Sequence, residues 1–155
     1  MFHVVLYQPQ IPQNTGNIAR TCAVTESHLH LIKPYGFQIS DRSLKRAGLD
    51  YWEFVEIHEY NNIEEFFNVN KSERMFLMTT AGELSYASHS FKDGDYFVFG
   101  SETSGVPKDV HDQFLERSLR IPMKPVSNAR CLNLSNSVAV VLYEALRQND
   151  FLNLM

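Results

Sequence analysis

A chain of 155 residues, 44% apolar and 21% charged, is sized for one globular domain over 1–155, which at this length buries roughly 70% of its unfolded surface. No apolar stretch reaches membrane-spanning length, and Met1-Phe-His-Val-Val-Leu6 lacks the basic region of a signal peptide, so the expectation is a cytoplasmic protein without a membrane anchor. Cys22 and Cys131 stand far apart and outside any Cys-x-x-Cys, which excludes a disulfide scaffold or a cysteine zinc centre, and a net charge of −4 leaves only local basic patches for contact with nucleic acid.

Residues 2–7 read as a first strand, and 14–25 as a helix capped by Asn14 with Ile18, Cys22 and Thr25 on its apolar stripe. A second strand follows at 28–32, then a turn at Pro34-Tyr-Gly36. A short helix at 43–47 ends before Gly48, and Arg42, Lys45 and Arg46 fall at i, i+3, i+4, on one face that suits either RNA or plain solvent. Residues 54–58 read as a strand, 62–69 as a helix, and 74–79 and 95–99 as buried strands. A helix over 107–116 with Pro107 in its first turn leads to a strand at 118–121. The final helix, 133–148, carries Leu134, Val138, Val141, Leu142 and Ala145 on one stripe, with Val140, Tyr143 and Arg147 off it. Strands alternating with helices predict an α/β fold with a mostly parallel sheet and helices on both faces. His28 and His30 alternate on a strand with no third ligand evident nearby, so no metal is expected.

Three strand-to-helix junctions concentrate small polar residues. They are Gln8-Pro-Gln-Ile-Pro-Gln-Asn14-Thr-Gly-Asn-Ile-Ala-Arg20, Gly100-Ser-Glu102-Thr-Ser-Gly105, and Ala129-Arg130-Cys131-Leu132-Asn133-Leu134-Ser135-Asn136-Ser137. Capping a helix needs one such side chain, so the last run fits either heavy capping or a polar ligand. In open α/β sheets ligands bind beyond the carboxyl ends of the strands, which favours a shared pocket. Neither a phosphate loop nor a dinucleotide fingerprint is present, because Val106-Pro107 replaces Lys-Ser/Thr and no Gly-x-Gly-x-x-Gly follows the first strand.

These three segments, with "YQPQIPQNTGNIAR", "LIKPYGF", "RAGLDYWEF" and "LNLSNSVAVVLYEALRQ", resemble the SPOUT class of RNA methyltransferases, most closely its TrmL family, over nearly the whole chain. The resemblance implies a SPOUT fold with a C-terminal deep trefoil knot and S-adenosyl-L-methionine as cofactor. It implies methyl transfer to the ribose 2′-hydroxyl of the wobble nucleotide, position 34, of tRNA, with a cytidine or modified uridine in leucine tRNAs as target. It also implies a homodimer through the first and last helices, with Val140 and Tyr143 at the interface. Matched residue by residue, the catalytic set is Arg20, Asn14, Glu102 and Asn133. The cofactor contacts are Met78, Thr79, Gly100, Glu102, Gly105, Ile121, Met123, Cys131, Leu132 and Ser135, and the RNA contacts are Arg20, Arg42, Lys45, Arg46 and Arg130. Arg20 is expected to grip a phosphate and steady the developing alkoxide, and Glu102 to pair with Arg20, with Arg130 across the dimer, or with the cofactor. Cys131 departs from the family, which carries Ser there. The rival readings are a same-class enzyme acting on another tRNA or rRNA position, and a non-catalytic RNA-binding protein that keeps the fold.

Overall fold

A computed structural model describes residues 1–39, 42, 46, 49–124, 131–151 and 154. They form a seven-stranded parallel sheet in the order β3-β2-β1-β6-β4-β7-β5. The strands are β1 His3–Tyr7, β2 His28–Ile32, β3 Ile57–Tyr60, β4 Met75–Met78, β5 Leu84–Ser85, β6 Tyr96–Phe99 and β7 Ser118–Arg120. The helices are α1 Pro12–Val24, α2 Ile63–Val69, α3 Lys108–Asp112 and α4 Leu134–Gln148.

The side-chain period of two in each strand divides the core into two layers. On one face Val4, Leu6, Leu29, Leu31, Phe97 and Phe99 pack with Ile18, Ala19 and Cys22 of α1 and with Val138, Val141, Leu142 and Ala145 of α4. On the other, Val5, Tyr7, Ile32, Leu77 and Val98 pack with Ile63 and Phe66 of α2 and Val110 of α3. Burying such a side chain contributes roughly 1.5–3 kcal/mol, so the stripes expected on the first and last helices fix how both dock. Burial also pushes the Cys22 thiol well up, leaving it unreactive.

Most expected elements are present, with four differences. The first helix starts at Pro12 after Ile11, and Asn14 is not its cap. Its side chain is bonded to distant residues instead, and Pro12 needs no N–H partner. The strand expected at 54–58 is a 3₁₀ turn over Leu49–Phe54 followed by β3. Trp52 and Val55 pack on the α1 and α4 core while Phe54 is 74% exposed, a spacing that a strand cannot satisfy. The helix expected at 107–116 stops at Asp112, with Pro107 at its N-cap and a 3₁₀ turn at Leu115–Arg117. The two-residue β5 and the adjoining turn Tyr86–Ser88 carry no sequence signal. Of the basic helix, Arg42 and Arg46 are helical and exposed, while Lys45 lies outside the described residues.

At the amino end of the sheet, four imidazoles gather on the α2 face. His3 pairs in register with His28, and His30 with His58. His3 Nδ1 and His30 Nε2 are 3.0 Å apart, and His30 Nδ1 is 2.9 Å from the Tyr60 hydroxyl. Desolvation by burial, with the neighbouring imidazoles, pushes His30 down to about 3 and His3 to about 4.

Candidate active site

The carboxyl ends of β4, β6 and β7 open onto a cleft of about 940 Å³. Apolar walls come from Leu77, Phe99 and Ile121, and polar groups from Thr79, Thr80, Ser101 and Asn133. Sheet order reverses direction between β1 and β6, the kind of switch point at which α/β sheets bind ligands.

Glu102 ties two of the three polar junctions together. Its carboxylate accepts the Gln10 N–H at 2.8 Å, the Ile11 N–H at 3.0 Å and the Asn14 side-chain amide at 3.2 Å. Gln10 and Ile11 immediately precede α1, so the carboxylate also sits where a helix dipole favours negative charge. Asn133 supplies the third junction by donating to Asn14 Oδ1 at 3.1 Å. Its own Oδ1 accepts the Ser135 N–H at 2.9 Å and caps α4. Glu102, Asn14 and Asn133 thus form one chain of hydrogen bonds that locks the starts of α1 and α4 to the loop after β6. Gln8 makes this reach possible by adopting a left-handed φ of 47° at the end of β1, a conformation that costs about 1 kcal/mol and turns the chain toward Glu102.

The loop after β6 closes on itself. Ser101 and Gly105 exchange both backbone hydrogen bonds at 3.0 Å. A side chain on Gly100 would come within 2.6 Å of the Gly105 Cα, so Gly100 is required by the loop and not by space for a ligand. Gly105 has φ +63° and open space beside it. Gly82 makes a similar close approach, 2.6 Å from the carbonyl carbon of Leu119, which holds the turn after β4 against β7.

The structure brings together most residues singled out in the sequence. Asn14, Met78, Thr79, Gly100, Glu102, Gly105, Ile121, Met123, Cys131, Leu132 and Asn133 all line the cleft. Ser135 does not line it; its hydroxyl is spent on Asn133 Oδ1 at 2.7 Å. Arg20 also lies outside the lining. It is exposed on α1 beside exposed Asn17, and its guanidinium sits 4.8 Å from the centre of the Tyr51 ring. The carboxylate of Glu102 is engaged by Gln10, Ile11 and Asn14, and not by Arg20, while Arg130 lies outside the described residues. Sequence reasoning did not find Tyr51, nor Lys108 and His111 in the cleft wall, whereas Ser137, the last residue of the third junction, does line it. His111 Nε2 is buried there with no hydrogen-bond partner. The one usable signal was position: Lys108 and His111 are one turn apart on the helix that follows the Gly105 loop.

Residues 1–143 match the SpoU rRNA Methylase family. The chain is 53% identical over 152 residues to the tRNA (cytidine(34)-2′-O)-methyltransferase of Methylovorus glucosotrophus (strain SIP3-4), covering 97% of each chain. It is 46% identical over 149 residues to the enzyme of the same name from Escherichia coli (strain K12), covering 96% of this chain and 94% of the other. A solved structure described as giving insight into 2-OH methylation of C/U34 on tRNA superposes with a TM-score of 0.91 at 45% identity, covering 97% of both chains. With the parallel sheet, the cleft beyond its carboxyl edge and a match spanning nearly the whole length, the chain belongs to the SpoU methylase family.

Proposed function

We propose that the protein transfers the methyl group of S-adenosyl-L-methionine to the ribose 2′-hydroxyl of nucleotide 34 of tRNA, cytidine or a modified uridine, with leucine tRNAs as substrates. The observation that carries this reading is the hydrogen-bonded set Glu102–Asn14–Asn133 at the mouth of the cleft, which uses the polar residues of all three junctions at once. Relatives sharing 46–53% identity over nearly their full length bear the name of this activity. The cleft suits the cofactor: it has the volume of a ligand site, apolar walls for an adenine, and polar side chains such as Thr79 and Thr80 for directional contacts. When bound, the sulfonium supplies an activated methyl group, so the step calls for no metal in the cleft.

The chain's own residues then position and stabilise. Glu102, Asn14 and Asn133 hold the α1 and α4 starts in register around the cleft mouth, so a small shift at the reacting atoms is resisted. Arg20, always charged and exposed, binds the substrate phosphate and stabilises the oxygen as its proton leaves toward that phosphate. Arg42 and Arg46, together with Lys45 and Arg130, extend the RNA contact. The chain acts as a single domain and as a cytoplasmic homodimer joined through α1 and α4. Val140 and Tyr143, 37% and 46% exposed on α4, are the apolar surface that this assembly covers. The trefoil knot would be closed by the segment that includes residues 125–130, which lie outside the described residues.

Transfer of labelled methyl groups to tRNA, followed by mass spectrometry of the position-34 nucleoside, tests the reading. Methylation confined to another position, or RNA binding with no transfer, overturns it. Sedimentation at micromolar concentration tests the dimer, which Tyr143→Asp is expected to dissociate.

A further inference from the structure

A second cluster of chemistry-bearing side chains lies at the other end of the sheet from the cleft. The register of β1, β2 and β3 stacks four imidazoles in two rows, and Glu56, just before β3, reaches across them. The Glu56 carboxylate lies 3.2 Å from His28 Nδ1 through one oxygen and 3.0 Å from His58 Nε2 through the other. The three ligand atoms lie within 4.8 Å of one another. His28 Nδ1 is buried yet lacks a hydrogen bond of acceptable geometry. The His28 ring cannot simply turn away, because it is stacked on His3 at 4.7 Å and faces His58 at 5.8 Å.

We propose that His28, Glu56 and His58 form a binding site for a divalent transition-metal ion of the zinc type, held by two imidazoles and one carboxylate with solvent completing the shell. Imidazole and carboxylate are the ligand chemistry such ions accept, and bonds of about 2.0 Å in a tetrahedron place neighbouring ligand atoms about 3.3 Å apart. Each nitrogen already lies near that distance from one of the two Glu56 oxygens, so to bind an ion the carboxylate turns to offer a single oxygen to both and the two nitrogens close on each other. His58 and Glu56 are partly exposed, so they can make that adjustment and an ion can enter from solvent. β3 is the outer strand of the sheet and β2 its single neighbour among the described residues. An ion here ties the outer strand to the strand inside it, so its role is to hold the sheet edge and not to act in the cleft.

Titration of tag-free, chelator-stripped full-length protein with Zn²⁺ alone, followed by calorimetry, tests the site. The expected result is saturable micromolar binding of a single ion per chain. A rise in melting temperature of about 5 °C or more is expected at a hundredfold excess of free ion over Kd. His58→Gln and Glu56→Gln should each weaken binding at least tenfold, while His89→Gln, an imidazole outside the cluster, should leave it intact. Circular dichroism and melting of the metal-free variants report that they are folded. Methyl transfer should be unchanged by His58→Gln, because the cluster and the cleft occupy opposite ends of the sheet. Equal affinity in wild type and His58→Gln, or no saturable binding, overturns the site whatever the outcome for methylation.

Discussion

The two ends of the sheet are built from polar side chains in different ways. At the carboxyl end, residues far apart in sequence, Asn14, Glu102 and Asn133, meet in one hydrogen-bonded chain beside a large open cleft. At the amino end, His3, His30, Tyr60 and Asn70 form a chain of hydrogen bonds around the buried His30 ring. His30 is 2% exposed there, and the Asn70 amide donates to the Tyr60 hydroxyl at 3.0 Å. The first arrangement leaves exposed groups around a hole, and the second consumes its own hydrogen-bonding capacity. Polar clustering alone therefore does not mark a reactive site; access and unspent donors do. Substitutions at the carboxyl end should change catalysis with modest effects on folding, and those at the amino end should do the reverse.

The strongest test of this division is Arg20→Ala. Removing a fixed positive charge from the developing alkoxide should reduce the single-turnover rate of tRNA methylation by on the order of a hundredfold or more, while cofactor affinity stays near that of wild type. Arg20→Lys should recover little, since an ammonium lacks the planar fork that matches phosphate. Near-normal turnover in Arg20→Ala would place the chemistry elsewhere and leave Arg20 a surface residue held over Tyr51.

The matching test at the amino end is His30→Ala. It removes a buried ring, strands the His3 nitrogen, and deletes a contact to Tyr60. Cavity and unpaired polar group together should cost about 3 kcal/mol, read by urea unfolding, and lower the melting temperature by roughly 6–12 °C. Below that temperature, kcat and KM should stay as in wild type. A large change in kcat with intact stability would mean that the two ends are coupled through the sheet.

What the sequence made legible follows the same split. Each junction at the carboxyl edge is a local signal: an apolar run, then Gly, Asn, Ser or Glu, then a helix stripe. Local signals survive without knowledge of strand pairing, so Asn14, Glu102 and Asn133 were found, and the helices carrying Ile18 or Val138 were placed. Their roles were less visible. Asn14 read as a helix cap because capping is what an Asn at a helix start does, and nothing local shows that Glu102 lies 88 positions away within hydrogen-bond reach. The imidazole cluster was invisible for a related reason. His3, His28 and His58 come together only through the parallel register β1–β2–β3, so the search for a third ligand near His28 in sequence missed Glu56 and His58. Tyr51 and Trp52 fall before the strand expected at 54–58 and were given no element, because a 3₁₀ turn of mixed exposure has no periodic signature.

Within the carboxyl end, a glycine pair separates shape from binding. Gly100→Ala places a methyl against the Gly105 backbone and should cost about 1–3 kcal/mol through loop distortion, with cofactor affinity lost alongside it. Gly105→Ala meets no atom and incurs only the left-handed strain, about 1 kcal/mol. Thermal melts rank the two. A larger loss for Gly105→Ala would show that the loop after β6 is more pliable than its paired hydrogen bonds suggest, and that Gly100 is there for the ligand after all.

Cys131→Ser should have the smallest effect. Cys131 is exposed at the rim of the cleft, where the resemblance to the family implies a serine. A thiol is the poorer hydrogen-bonding group, so a side-chain contact to the cofactor would be improved by serine. A neutral hydrogen bond gained is worth about 1 kcal/mol net, close to a fivefold tightening. The neighbouring wall already offers polar side chains in Asn133 and Ser137, and the α4 start is capped without help from position 131. The contact at 131 is therefore expected to run through the backbone, which the substitution leaves in place. Calorimetric titration with cofactor should find Kd changed by less than about threefold, or ~0.6 kcal/mol. A fivefold or greater tightening would show instead that the sulfur faces the ligand, at a position where a hydroxyl hydrogen-bonds better.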